Sequence, residues 1–206
     1  MIEMFPGVYV SERKLYTKAL VHGRVYGEKI IKDGKEEYRQ WNPFKSKYCA
    51  ALTKGLKENI FFNGAKVLYL GSAEGTTVSH VSDLVGMKGE IYCVDISGIA
   101  MQKLNDLAEK RENLFPILAD AQKPSEYEEY ISDADVLFQD VSQRNQTEIF
   151  ISNSKLLKQG GVGALSLKTK SISQKDKEEI LEDEKKKLEE MFNVIQIVSL
   201  EPFEKE

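Results

Sequence analysis

Residues 66–77 read KVLYLGSAEGTT, and the fold is decided there. Lys66–Leu70 is a short apolar run of the kind buried inside a parallel sheet. Gly71 and Gly75 let the backbone turn sharply and approach a ligand. The helix expected over Thr77–Val85 begins at once and presents unpaired N–H groups at its start. Its Val78, Val81 and Val85 fall on one side.

Downstream the period keeps alternating between strand and helix. Glu90–Asp95, Pro116–Ala119, Ala134–Gln139, Val162–Leu167 and Val194–Leu200 read as strands. Ser97 caps a helix running to about Lys110, with Met101, Leu104 and Ala108 inward. Asn145–Lys158 is a second helix, stopped by Gly160-Gly161, and Lys175–Met191 a third, showing Ile180, Leu181, Leu188 and Met191 to the core. Alternation of this kind predicts an α/β chain whose parallel sheet is covered on both faces. Upstream the texture differs. GVYVSE, RVYGEKII and EEYRQW are short alternations, and Asp33-Gly34 marks a hairpin. Residues 1–48 therefore read as a small antiparallel β domain, and residues 49–206 as the larger domain, with a helix over Lys47–Ile60 near their junction.

Composition sets the limits. A chain of 206 residues, 41% apolar and 30% charged, buries a core without disulfides or metal. No apolar run reaches the ~18 residues of a membrane span. The start, MIEMFPGVYV, lacks the order of a secretory signal, so a cytoplasmic location is expected. Cys49 and Cys93 form no CxxC pair, which argues against zinc, and no metal site is expected. His22 and His80 are the only histidines, too few for a hydrolytic triad plus a metal set, and read as structural. Residues 1–60 carry 12 Lys+Arg against 7 Asp+Glu, and residues 61–206 carry 17 against 26. A basic front on an acidic body hints at a polyanion at one end.

In open α/β sheets ligands bind beyond the carboxyl ends of the strands. The first strand of the sheet ends in the 71–77 loop, the second in Asp95, the third in Asp120-Ala121 and the fourth in Asp140-Val141-Ser142-Gln143. Asp95 follows Gly75 by 20 residues, a spacing that suits a carboxylate on ribose hydroxyls. Acids at three successive tips disfavour a bare phosphate and suit a nucleoside or a cation. The loop has neither GxxxxGK[ST] nor GxGxxG. S-adenosylmethionine, a nucleoside with a sulfonium charge, fits best; a nicotinamide oxidoreductase and a binding domain without chemistry stay open.

Larger motifs carry a resemblance. KVLYLG at 66–71 and GTTVSHVSD at 75–83 resemble the signature of the fibrillarin family, the methyltransferases of box C/D ribonucleoproteins. RVYGEK at 24–29, EYR at 37–39, WNPFKSK at 41–47, DVSQ at 140–143 and LEPFE at 200–204 are similar to its other blocks. No Gly/Arg-rich N-terminal tail is present, so the chain resembles the archaeal members. The resemblance implies a Rossmann-like, S-adenosylmethionine-dependent methyltransferase fold. It implies Gly71, Thr76 and Thr77 by the methionine part, Asp95 and Ile96 at the ribose and adenine, Asp120 and Ala121 at the adenine, and Asp140, Val141, Ser142 and Gln143 on the methyl-donor side. The family often has Glu-Phe where Asp95-Ile96 stand and Ala where Ser142 stands; Ser72 and Glu74 replace its usual Ala and Ser. The block after Glu204 also departs, so the family's final antiparallel strand is expected to be missing beside the sixth strand.

The activity implied is methylation of ribose 2′-hydroxyls in rRNA, and in tRNA as well, at sites chosen by a guide RNA. Asp140 would accept or steer the proton, and Lys168 would orient the hydroxyl or favour the developing alkoxide. The partners implied are a box C/D guide RNA with its target, a Nop-family scaffold protein and a kink-turn-binding protein of ribosomal type. Arg24, Lys29, Arg39, Lys45 and Lys47 are the basic residues best placed to approach RNA, with a solvated face as the equal alternative. Two competing classes remain at this point: a structural subunit of the same particle that transfers no methyl, and a small-molecule methyltransferase.

Overall fold

The computed structural model describes residues 1–174 and 176–204; Lys175, where the sequence starts its last helix, and Lys205 and Glu206 lie outside them. The first 41 residues supply β1 (Ile2–Phe5), β2 (Val8–Ser11), β3 (Lys14–Lys18), β4 (Ile30–Asp33) and β5 (Glu36–Trp41). These pair antiparallel in the order β1-β2-β3-β5-β4. Asp33 faces Glu36, so Gly34-Lys35 forms a two-residue turn in which Gly34 takes φ +62°. The following helix α1 (Lys47–Thr53) is capped by Ser46, whose hydroxyl accepts the Cys49 N–H. It stops well short of Ile60, because Gly55 at φ +96° leaves the helical path.

The rest alternates as expected: β6 (Lys66–Leu70), α2 (Thr76–Val85), β7 (Glu90–Asp95), α3 (Gly98–Ala108), β8 (Leu114–Leu118), β9 (Ala134–Gln139), α4 (Gln146–Asn153), β10 (Leu157–Leu165), α5 (Thr169–Ile172) and α6 (Lys177–Glu189). Five strands pair in parallel in the order β10-β9-β6-β7-β8. The chain moves outward from β6 through β7 and β8, then returns to the other side of β6 for β9 and β10. A crevice therefore opens between β6 and β9 at their carboxyl ends, where the winding reverses. Alternate residues of β6 serve opposite faces. Val67 and Tyr69 join a core with Val8, Leu15 and Trp41 of the first sheet and Val78 and Val81 of α2; Leu68 and Leu70 join a second core with Leu137, Ile149 and Phe150.

A buried ionic cluster also ties the first sheet to α2. Arg39 on β5 is fully buried, with Nε 2.6 Å from Glu28 and Nη1 2.7 Å from Asp83; Arg111 Nη1 reaches the other Asp83 oxygen at 2.8 Å. His80 is hydrogen-bonded to Thr17 at 2.8 Å and Tyr26 at 2.7 Å, and stacks on Trp41. Burial, helped by Arg39 and Arg111, pushes His80 well below its ordinary range, so it is neutral and structural.

Several expectations are corrected. Val194–Leu200 is not a strand: no strand among the described residues pairs with it, and alternation without a partner does not make a ladder. The Asn145–Lys158 helix ends at Asn153, followed by a single 3-10 turn over Ser154–Leu156. Gly160-Gly161 lies inside β10, in an irregularity of register between Leu157 and Val162, with Gly160 at φ +76°. Met191 is exposed, and Glu184, paired with Lys187 at 2.8 Å, takes the buried position on α6 instead.

Candidate active site

The site begins at Gly71. At φ +79° a Cβ there would sit 2.4 Å from the Asp140 carbonyl oxygen, so any larger residue forces the tips of β6 and β9 apart. The ladder reaches these tips: Gly71 N–H donates to Val94 C=O and Asp140 N–H to Leu70 C=O, each at 2.9 Å. Gly75 (φ +88°) starts α2, and a Cβ there would meet Leu107 at 2.8 Å. No side chain caps α2, whose first residues are Thr76 and Thr77, leaving first-turn amides for an anionic group.

Asp95 ends β7. One of its oxygens accepts the Ala73 N–H and the other the Ser97 N–H, both at 2.8 Å. The carboxylate therefore fixes the 71–75 loop and the entry to α3, and its remaining lone pairs point to further donors. Ala73 is held at φ +46° in that loop. Ile96 is 66% exposed beside it. Asp120 accepts the Gln122 N–H at 2.9 Å, and the buried Ala121 presents its carbonyl to Asn153 at 2.9 Å and Tyr127 at 3.3 Å.

At the end of β9 the Asp140 carboxylate lies between two lysines. Lys168 Nζ stands 2.9 Å from Oδ1, and Lys47 Nζ 3.2 Å from Oδ2. Lys168 is buried, at 7% exposure, and its ammonium also meets Ser142 Oγ at 2.6 Å. It belongs not to a strand but to the cap of α5, three residues beyond β10. Lys47, on the first turn of α1, also pairs with Glu204 at 3.5 Å. Burial would lower the Lys47 pKa, but Asp140 and then Glu204 outweigh it and hold the ammonium above its ordinary value. Tyr69 stays a neutral phenol beneath: burial raises it well above its usual value, and Asp140 adds to that.

The structure thus brings Gly71, Asp140, Val141, Ser142 and Lys168 together at one crevice, with Thr76, Thr77, Asp95 and Ile96 along its adjoining loops. Asp120 and Ala121 lie at the tip beyond β8. Of the residues read as RNA-facing, Arg39 is fully buried, which corrects that expectation, and Lys47 is partly exposed and paired with Asp140 at the crevice. What the sequence did not assign is the pairing of Lys47 with Asp140. Ninety-three positions separate the two, and only the docking of α1 beside β9 joins them.

The residues fit S-adenosylmethionine. The carboxylate at the tip of β7 suits ribose hydroxyls, and the bare first turn of α2 suits a carboxylate. The Ser72 hydroxyl and Gln143 Oε1 are buried with no hydrogen-bond partner among the described residues, which is unusual unless a ligand completes them.

Comparison with known proteins agrees. Residues 2–206 match the sequence profile of the family described as Fibrillarin. The chain belongs to the fibrillarin family. A fibrillarin-like rRNA/tRNA 2′-O-methyltransferase of Pyrococcus furiosus is 47% identical over 98% of this chain and 92% of its own length. The solved fibrillarin of Methanococcus jannaschii superposes with a TM-score of 0.94 at 45% identity, covering 99% of this chain and 92% of its own. An Aeropyrum pernix fibrillarin with natively bound S-adenosyl-L-methionine superposes at 0.88 with 38% identity, over 98% and 92%. A fibrillarin solved in complex with Nop5p superposes at 0.90 with 37% identity, over 98% and 95%. This fibrillarin-family chain has, among its described residues, no helix long and apolar enough to cross a membrane.

Proposed function

We propose that this chain is an S-adenosylmethionine-dependent methyltransferase acting on ribose 2′-hydroxyls of rRNA and tRNA, as the catalytic subunit of a box C/D ribonucleoprotein. The observation that carries the reading is the Asp140 carboxylate held between Lys47 and Lys168 at the switch point of a parallel sheet. The sulfonium of the cofactor supplies a methyl group already activated for transfer. What the chain must add is alignment, a route for one proton and electrostatic support for the developing alkoxide. Asp140 steers or accepts the hydroxyl proton, and the two ammonium groups favour negative charge on the attacking oxygen.

Binding roles are taken as the family resemblance implies them. Gly71, Thr76 and Thr77 hold the methionine end, Asp95 the ribose, and Ile96, Asp120 and Ala121 the adenine side. Val141, Ser142 and Gln143 border the methyl donor. The acidic body explains why partners are needed: a net charge of −4 grips RNA poorly, so sequence choice falls to guide–target pairing and RNA grip to other proteins. A Nop-family scaffold is supported by the Nop5p complex of a relative. A guide RNA and a kink-turn-binding protein complete the particle in this reading, which places the chain with RNA in the cytoplasm. The test is methyl transfer from labelled cofactor to a guide-paired RNA, with and without the scaffold protein. Methyl appearing at one 2′-hydroxyl, dependent on the guide, is the expected result; no transfer in the complete particle sinks the reading.

A further inference from the structure

Lys168 is held at both its ammonium and its backbone by side chains other than Asp140. Its ammonium lies 2.6 Å from Ser142 Oγ as well as 2.9 Å from Asp140. Its backbone is gripped by one side-chain amide: Gln146 Oε1 accepts the Lys168 N–H at 2.9 Å, and Gln146 Nε2 donates to the Lys168 C=O at 3.2 Å. Gln146 is fully buried at the start of α4, and its own carbonyl accepts from Gln139 Nε2 at 2.7 Å, at the end of β9. The amide therefore does for Lys168 what a neighbouring strand would do, at a point where β10 has already ended.

A lysine side chain has four rotatable bonds, and ordering it gives up roughly 2 kcal/mol of rotamer freedom. An ammonium that must meet a developing alkoxide gains by having that order in place before the reaction. Asp140 alone fixes one direction. A second acceptor on the same loop fixes the head, and the Gln146 amide fixes the root.

We propose that Ser142 and Gln146 are positioning residues that hold Lys168 in its reactive place, Ser142 through the ammonium and Gln146 through the backbone. The kinetic part rests on the methyl-transfer reading above; the positional part does not. The test uses the full chain with 15N-labelled lysine, alone and in the reconstituted particle. The Lys168 ammonium resonance, assigned by its loss in Lys168→Arg, is expected to be protected from water exchange in the parent, lost in Ser142→Ala and recovered in Ser142→Thr. In the particle, Ser142→Ala is expected to lower kcat about tenfold, the size of one hydrogen bond to a charged group. Gln146→Leu is expected to do the same, and Gln146→Glu, which keeps the acceptor, to recover part of the rate. A Ser142→Ala protein whose Lys168 resonance and kcat match the parent overturns the proposal, as does a Ser142→Thr protein that recovers neither. If the parent particle transfers no methyl, the enzymatic reading has failed and the resonance alone still decides whether Ser142 holds Lys168.

Discussion

At the scale of single residues, the site is a charge arrangement: one carboxylate, two ammonium groups and a glycine that lets two strand tips touch. Replacing Lys47 by Ala removes one of the two cations facing the attacking oxygen. Single-turnover methyl transfer at saturating cofactor is expected to fall by about 10²-fold, with cofactor affinity much less affected. Asp140→Asn is expected to fall at least as far, because it removes the proton route and the carboxylate between two ammonium groups. Turnover within a few-fold of the parent in both variants would remove this trio from the chemistry. Asp95 carries two duties, so Asp95→Ala is expected to show two losses. Calorimetric titration should show weaker S-adenosylmethionine binding, and denaturant unfolding a loss of about 1 kcal/mol from the freed Ala73 and Ser97 amides. Asp95, Asp120 and Asp140 were legible because a carboxylate after an apolar run announces a strand tip. Lys47 was not: WNPFKSK reads as a basic surface stretch, and nothing local says that its last lysine turns toward residue 140.

At the scale of elements, the first sheet is fastened to α2 by a buried ionic cluster as well as by a shared apolar core. Arg39 is the central bolt, reaching Glu28 and Asp83 at once. Arg39→Met is expected to destabilise the fold by about 3–5 kcal/mol, since Glu28 is left buried without its cation. The same junction sets the acid response. Burial holds His80 well below its ordinary value of about 6.5, so the unfolded chain binds a proton the folded one refuses; stability falls as pH drops below about 6.5. Burial would raise Glu28, but the Tyr26 amide and Arg39 outweigh it and hold it low, so a second loss begins only as pH falls below about 4.5. Melting temperature against pH should show both steps, and His80→Gln should abolish the first alone. A single step near pH 4 in the parent would refute this account of the junction. Elements with strong periods, β6, β7, β9, α2 and α3, were legible to within a few residues. The failures have one cause each: Val194–Leu200 alternates but has no strand partner among the described residues, and Gly160-Gly161 serves a strand irregularity as readily as it ends a helix.

At the scale of the molecule, the fold redistributes the basic front that the sequence showed. Arg39 goes to the core and Lys47 to Asp140, which leaves Arg24, Lys29 and Lys45 exposed. Lys29 and Lys45 border a small polar cleft with Tyr26, Gln40 and Asn42, and the Lys45 ammonium lies 5.2 Å from the Tyr26 ring centre. Lys45 is two residues from Lys47, so the cleft and the crevice at Asp140 sit at the two ends of one short turn into α1. RNA entering the crevice from that side would pass Lys29 and Lys45, with the exposed Arg24 close to them in sequence, before reaching the carboxylate. Their contribution should then be that of phosphate contacts, independent of sequence and steeply dependent on salt. Replacing Arg24, Lys29 and Lys45 together by Ala is expected to raise the KM for guide-paired RNA in the reconstituted particle, while S-adenosylmethionine affinity and melting temperature hold. The slope of log affinity against log salt should shrink by about one for each phosphate contact removed. A salt slope that stays at the parent value after all three are removed would show that the RNA approaches the crevice from another side.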